Sequence, residues 1–250
     1  MEPPSDPRTV ELFGRFVEVI RALRHPVTGC PWDLEQDHRS LRPYLIEEAY
    51  EVLDAIDRGD DRAFRDELGD LLLQIVLHAQ VAADRGAFSI ADVVRGINAK
   101  MLRRHPHVFG SVRVNNAEDV RRNWEQIKTA ERQAGGDPSV SSALARVPEA
   151  LPALVRAQRV SEKLARQHGD RRSPAEMTAK AGEQFTALSN EVRALTAPAD
   201  QALPSDQRGR LENVLGDFLF DLCQLAGTLG LSAEDALRDS TRRHIGRSQP

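Results

Sequence analysis

The chain has 250 residues, enough for one large or two small domains with a full core. A net charge of −4 excludes the global basic field of a nucleic-acid binder, and no apolar run reaches membrane-spanning length. The two cysteines, Cys30 and Cys223, stand far apart without CxxC spacing, which excludes a disulfide scaffold and a zinc knuckle. The opening "MEPPSDPR" lacks the basic and apolar blocks of a signal peptide, so a cytoplasmic protein with no membrane or nucleic-acid partner is expected.

Leu, Ala, Arg, Glu and Asp dominate, which favours helix, and no segment alternates with period two. An all-α fold is expected. The first helix covers about 10–23, with Leu12, Phe13, Phe16, Val17, Val19, Ile20 and Leu23 as its apolar positions. "RHPVTGCPWDLEQDHRS" breaks it, because two prolines and a glycine forbid a continuous helix. A second helix follows over 41–58, ending at "RGDD", and a third over 61–84, stopped by "DRGAFS". Ser89 is a candidate cap for a fourth, "IADVVRGINAKMLRRH", which closes at His105-Pro106. A fifth, "AEDVRRNWEQIKTAERQ", starts at Ala117.

The segment 134–146 begins with the polar "AGGDPSVSS" and reads as a linker between a first domain, 9–133, and a second, 147–250. Helical pattern resumes at "PALVRAQRVSEKLARQ", while "LTAPADQALPSDQRG" (195–209) reads as an exposed proline-rich loop. The two halves are similar to each other. "LGDLLLQIVLHAQ" from Leu68 matches "LGDFLFDLCQLAG" from Leu215, and "IADVVRGINAKMLRRH" has a counterpart in "AEDALRDSTRRHIGR". Two copies of one helical unit are expected, the second altered.

Chemistry concentrates in the first copy. At about 100° per residue, Leu45, Ala49, Val52, Leu53 and Ile56 form one stripe of the second helix, and Glu47, Glu48 and Glu51 share one flank beside it. In the third helix the stripe is Phe64, Leu68, Leu71, Leu72, Ile75, Val76 and Ala79, with Glu67 and Asp70 together on a flank. Leu73 and Leu77 are apolar on its far side, so this helix is expected to be covered nearly all round. A solvated face paired with Arg58, Arg62 or Arg65 is the ordinary reading of such acids. Against it, no Lys or Arg occurs between Arg65 and Arg85, and a short turn would bring both acid flanks face to face. Converging carboxylates repel unless a cation joins them, and hard oxygen donors suit Mg²⁺ or Mn²⁺.

The fourth helix offers the complement: Lys100 and Arg104 at i and i+4, with Asn98 and Arg103 close by. Such a cluster is often only a solvated helix end, but beside an acid cluster it suggests a metal–phosphoanhydride site. Lesser signals stay open. His105 and His107 read as a turn closing a helix, with a metal pair as the alternative. Trp32 either stacks on a base or plugs its loop. Trp124 reads as core or interface, with base contact as the alternative, and Cys30 as packing.

Taken in order, "GCPWD", "EEAYE", "ELGDLLLQIVLHAQ", "INAKMLRRHPHVF", "NWEQIK" and "LPALVRAQRV" resemble the MazG nucleoside triphosphate pyrophosphohydrolases, strongly over 12–165 and more weakly to about 245. The resemblance implies tandem all-α helical bundles that assemble as dimers, and Mg²⁺-dependent hydrolysis of nucleoside triphosphates to NMP and pyrophosphate. It implies Glu48, Glu51, Glu67 and Asp70 as metal ligands and Glu47 as a further acid that orients or deprotonates water. Lys100 and Arg104, with Asn98 and Arg103 beside them, are implied as triphosphate contacts.

The second copy departs from this pattern. "VLGD" replaces "ELGD", with Val214 for the glutamate and Asp217 kept. The counterpart of "EEAYE" is either "EQFTA" (183–187) or "NEVRA" (190–194), and Thr241 stands where Asn98 does. The first repeat is therefore the expected active one, the second a source of packing or dimer surface. The alternative is a nucleotide-sensing module without turnover.

Overall fold

A computed structural model of the chain describes residues 7–134, 144, 147–169, 172–195 and 203–248. Every regular element among them is helical: α1 Pro7–Leu23, α2 Pro31–Glu35, α3 Arg42–Arg58, α4 Asp61–Asp84, α5 Ile90–Arg104, α6 Pro106–Phe109, α7 Ala117–Ala134, α8 Ala153–His168, α9 Pro174–Arg193, α10 Ser205–Thr228 and α11 Ala233–Ser248. None is by itself long and apolar enough to cross a membrane. The chain divides into two units, Met1–Gly135 and Gly136–Pro250.

In the first unit the core gathers Ile20 of α1, Leu41 before α3, and Val76, Leu77 and Val81 of α4. Phe13, Phe16, Val17, Leu23, Leu73 and Ile90 pack around it. The turn after α1 needs a glycine, since a Cβ at Gly29 would collide with the carbonyl oxygens of Leu23 and His25. Arg24 ties this turn down. Its guanidinium is almost fully buried, meets Asp84 at 2.6 Å and donates to the carbonyls of Asp33 and Gln36. One side chain thus joins the ends of α1, α2 and α4. The α5 start carries a capping box, with Asp92 accepting from the Ser89 N–H at 2.9 Å and hydroxyl at 2.7 Å. Those bonds, with Arg95, hold the Asp92 carboxyl down at about 2.

Two expectations change here. α4 is not covered all round: Leu77 is buried and Leu73 packs on the core, whereas Leu68, Leu72 and Ile75 of the supposed core stripe are exposed. The core of this unit is built on the α1 side of α4, so among the described residues the opposite row is left partly exposed. The loop expected over 195–209 is shorter, because α10 already begins at Ser205 after Pro204. Proline before a helix start costs no backbone bond, so its presence marked an entry rather than a loop. Residues 196–202, and most of the expected linker, lie outside the described residues.

In the second unit α10 packs on both α8 and α9. Met177, Ala181 and Cys223 are buried there, with Ser161 and Asp221 as buried polar residues.

Candidate metal and phosphate site

α3 and α4 build the site through the turn between them. α3 ends at Gly59, whose φ of +65° only glycine adopts freely. Asp60 then caps α4, accepting the N–H groups of Arg62 and Ala63 at 3.0 Å. With two residues between the helices, positions equally far from the turn face each other. Glu51 lies seven residues before Arg58 and Glu67 six after Asp61, while Glu48 and Asp70 lie ten before and nine after.

The acids meet accordingly. One oxygen from each of Glu48, Glu67 and Asp70 lies within 4.8 Å of the other two. Glu51 is within hydrogen-bonding reach of both Glu48 and Glu67. Burial, then the charge of Asp70, then Glu51, push the Glu48 carboxyl above its ordinary value. Glu67 is raised as well, by burial and the charges of Glu51 and Asp70, with Arg58 opposing. Four carboxylates at this spacing need a shared proton or a cation. Oxygens sharing an octahedral cation at about 2.1 Å lie about 3.0–4.2 Å apart, a spacing that small rotamer shifts here supply. The all-oxygen donor set fits a divalent cation. Glu47 is exposed and stands outside the three converging residues.

The predicted phosphate contacts on α5 divide. Asn98 and Lys100 are exposed, and Asn98 lines a groove of about 670 Å³ with Phe13, Val17, Val94 and Leu102. Arg103 and Arg104 converge on one carboxylate of α7. Arg103 Nε donates to Glu131 Oε1 at 2.6 Å, and Arg104 Nε and Nη2 donate to Oε2 at 3.2 and 2.6 Å. The Arg104 guanidinium also lies 5.4 Å from the Trp124 ring centroid. Arg104 first, then Arg103, hold the Glu131 carboxyl down at about 2.

Glu131 and the pinning role of Trp124 are absent from the sequence reading. The signal was present: seven residues separate them on α7, two helical turns, so they share a face. The His105 ring lies T-shaped to Trp124 at 4.9 Å and bonds the Met101 carbonyl at 2.7 Å, closing α5. Trp32 does not plug its loop; it is half exposed and meets Tyr44 edge-on at 5.9 Å, one turn before Glu48. His38 and His78 form a pair with Nδ1 atoms 2.9 Å apart, unforeseen because forty positions separate them. In the second unit Thr241 spends its hydroxyl on the Leu237 carbonyl, and among the described residues no group of three carboxylates converges there.

Residues 36–109 match the model of the MazG nucleotide pyrophosphohydrolase domain. The chain is 41% identical over 231 residues to a nucleoside triphosphate pyrophosphohydrolase of Escherichia coli K12, covering 92% of this chain and 83% of that protein. It is 38% identical over 236 residues to the nucleoside triphosphate pyrophosphohydrolase/pyrophosphatase MazG of Thermotoga maritima, covering 94% and 84%. A crystal structure of a mazG-related protein from Thermotoga maritima, 26% identical, superposes with a TM-score of 0.41 over 46% of this chain and 98% of its own.

Proposed function

The chain belongs to the MazG nucleotide pyrophosphohydrolase family, and from that premise we propose that its first unit hydrolyses nucleoside triphosphates to the monophosphate and pyrophosphate. The observation that carries this reading is the convergence of Glu48, Glu67 and Asp70, with Glu51 beside them, into an all-oxygen cation site.

In this reading Glu48, Glu51, Glu67 and Asp70 hold Mg²⁺, for which Mn²⁺ can substitute. When bound, the ion neutralises charge on the phosphate oxygens and so favours attack at the α-phosphorus. Glu47, exposed beside Glu48, accepts a proton from the attacking water or orients it. Asn98, Lys100, Arg103 and Arg104 bind the triphosphate and hold the pyrophosphate leaving group in line with that water. The protein does little covalent work, so positioning and charge carry the reaction.

Among the described residues of the second unit no comparable group of acids converges, and that unit serves packing or dimer contact. A second copy of the chain is the partner that the exposed apolar residues of the α3–α4 hairpin support, among them Tyr50, Leu53, Leu68, Leu72 and Ile75. The setting is the cytoplasmic nucleotide pool. The test is pyrophosphate release from a panel of NTPs and dNTPs with Mg²⁺, comparing wild type with Glu48→Gln. Release by wild type and a loss of roughly a hundredfold or more in the variant are expected. Nucleotide binding without release by wild type would make the chain a sensor instead.

A further inference from the structure

The basic end of α5 is not a loose pair of arginines. Both oxygens of Glu131 are engaged, Oε1 by Arg103 and Oε2 by Arg104, and the Arg104 side chain is 18% exposed against 53% for Arg103. Arg104 is held twice by α7, through its N–H groups by the Glu131 carboxylate and through its charge by the ring of Trp124, over which it lies. A guanidinium has five N–H donors. Glu131 takes Nε–H and one Nη2–H, leaving the outer edge with the Nη1 donors and the second Nη2–H.

We propose that Glu131 is a positioning residue of the triphosphate site: it fixes the Arg104 guanidinium against Trp124, so that its outer N–H edge meets a phosphate already oriented. This rests on the reading of Arg104 as a triphosphate contact. Long side chains lose rotamer freedom when they bind, and a guanidinium ordered beforehand spares the substrate complex that loss. Arg103 gives its Nε to the other oxygen and an Nη1–H to the Ala99 carbonyl at 3.5 Å, and keeps Nη2 for the same ligand. The low Glu131 pKa keeps this carboxylate ionised across any useful assay pH.

Positioning and simple electrostatics have opposite signs at Glu131. A carboxylate beside a phosphate site repels the substrate, so charge alone would make Glu131→Gln bind more tightly. Positioning requires weaker binding. The experiment measures kcat and KM for pyrophosphate release, and Kd for an α,β-methylene nucleoside triphosphate, in wild type, E131Q, R104Q and the double variant. The result expected is a KM and Kd roughly tenfold higher in E131Q, with kcat changed by less than about threefold. R104Q raises KM at least as much, and adding E131Q to it has little further effect, because the residue being positioned is gone. Thermal melting checks the fold. Should E131Q not fold, Trp124→Leu removes the other pin and must raise KM in the same way.

An unchanged or lower KM in E131Q, with R104Q raised, overturns the positioning role and leaves the phosphate contact standing. An unchanged KM in R104Q overturns the contact itself, and the inference with it.

Discussion

Lys180 on α9 donates from Nζ to Asp221 Oδ1 on α10 at 2.7 Å, and the aspartate side chain is 4% exposed. Two further rungs, Phe185 with Phe218 and Glu191 with Arg210, run the opposite way along the two helices, so α9 and α10 are antiparallel. One turn beyond Lys180 is Gln184, and one turn before Asp221 is Asp217. The register therefore sets Gln184 opposite Asp217 and Ala187 opposite Val214, as Glu48 faces Asp70 and Glu51 faces Glu67 in the first unit. Of the two candidate segments, "EQFTA" is the counterpart of "EEAYE", and Asp217 is the one acid left at the four positions.

Restoring the other three tests that register. The variant Q184E/A187E/V214E is expected to melt lower than wild type in chelator, from carboxylate repulsion, and to regain stability with Mn²⁺ or Mg²⁺. Calorimetry with and without metal reads both effects. A variant whose melting ignores metal would show that these positions do not converge.

In the first unit the same repulsion is native. Burial and the neighbouring Asp70 charge raise the Glu48 carboxyl, so the metal-free fold carries strain that E48Q relieves. In chelator E48Q is expected to melt higher than wild type. On adding Mn²⁺ the order reverses, because wild type gains the full binding energy and E48Q lacks a ligand.

The pH response of His78 has the other sign. Burial, then His38, lower its pKa from 6.5, and its Nε2 is buried without a partner. Between that lowered value and 6.5 the unfolded chain binds more protons than the folded one. Stability is thus present above pH 6.5 and lost as pH falls through that window. The melting temperature of wild type minus that of His78→Gln is expected to shrink from pH 7.5 to 5.5; a difference independent of pH would contradict this.

Arg24 is an architectural ion. Replacing it by Gln takes the cation from Asp84, which keeps the Gln80 amide at 2.7 Å, and one donor each from the carbonyls of Asp33 and Gln36. The Asp84 side chain is 30% exposed, so the loss falls between the roughly 1 kcal/mol of a surface pair and the roughly 3 kcal/mol of a buried one. Urea unfolding of R24Q should show about 2 kcal/mol. A loss below about 0.5 kcal/mol would mean that water replaces the guanidinium.

The exposed rows of α4 and α10 match: Leu68 with Leu215, Leu72 with Leu219 and Ile75 with Leu222, each pair 147 residues apart. An apolar row repeated in both units is expected to be covered in solution. Leu72→Lys should lower the mass measured by light scattering toward that of one chain, with helix content retained. A wild type already monomeric at micromolar concentration would remove the dimer from the proposed function.

Much of this was legible in the sequence because it is local. Helix bounds came close, with α4 at 61–84 as read, since Asp60, Gly59 and Ser89 act on neighbouring backbone groups. The meeting of Glu48, Glu51, Glu67 and Asp70 was also legible, because a two-residue turn leaves antiparallel helices little choice of register. α2 and α6 were not: helices of four or five residues show no period, and proline at their starts reads as a breaker.

What needed the tertiary structure were pairings between distant elements. Local spacing put Arg104 with Lys100, but Glu131, 27 residues away, holds it, because a long guanidinium side chain follows the nearest carboxylate and aromatic face. Spacing also assigned Leu68 and Leu72 to the core together with Val76, but the core takes Val76 with Leu77 and Val81, since only the packing of α1 selects which side of the apolar surface is covered. The sequence by itself determined which residues share a helix face and how the acids of one hairpin meet. The tertiary structure decided which faces are covered and which charges are already paired, because those depend on contacts that backbone periodicity does not encode.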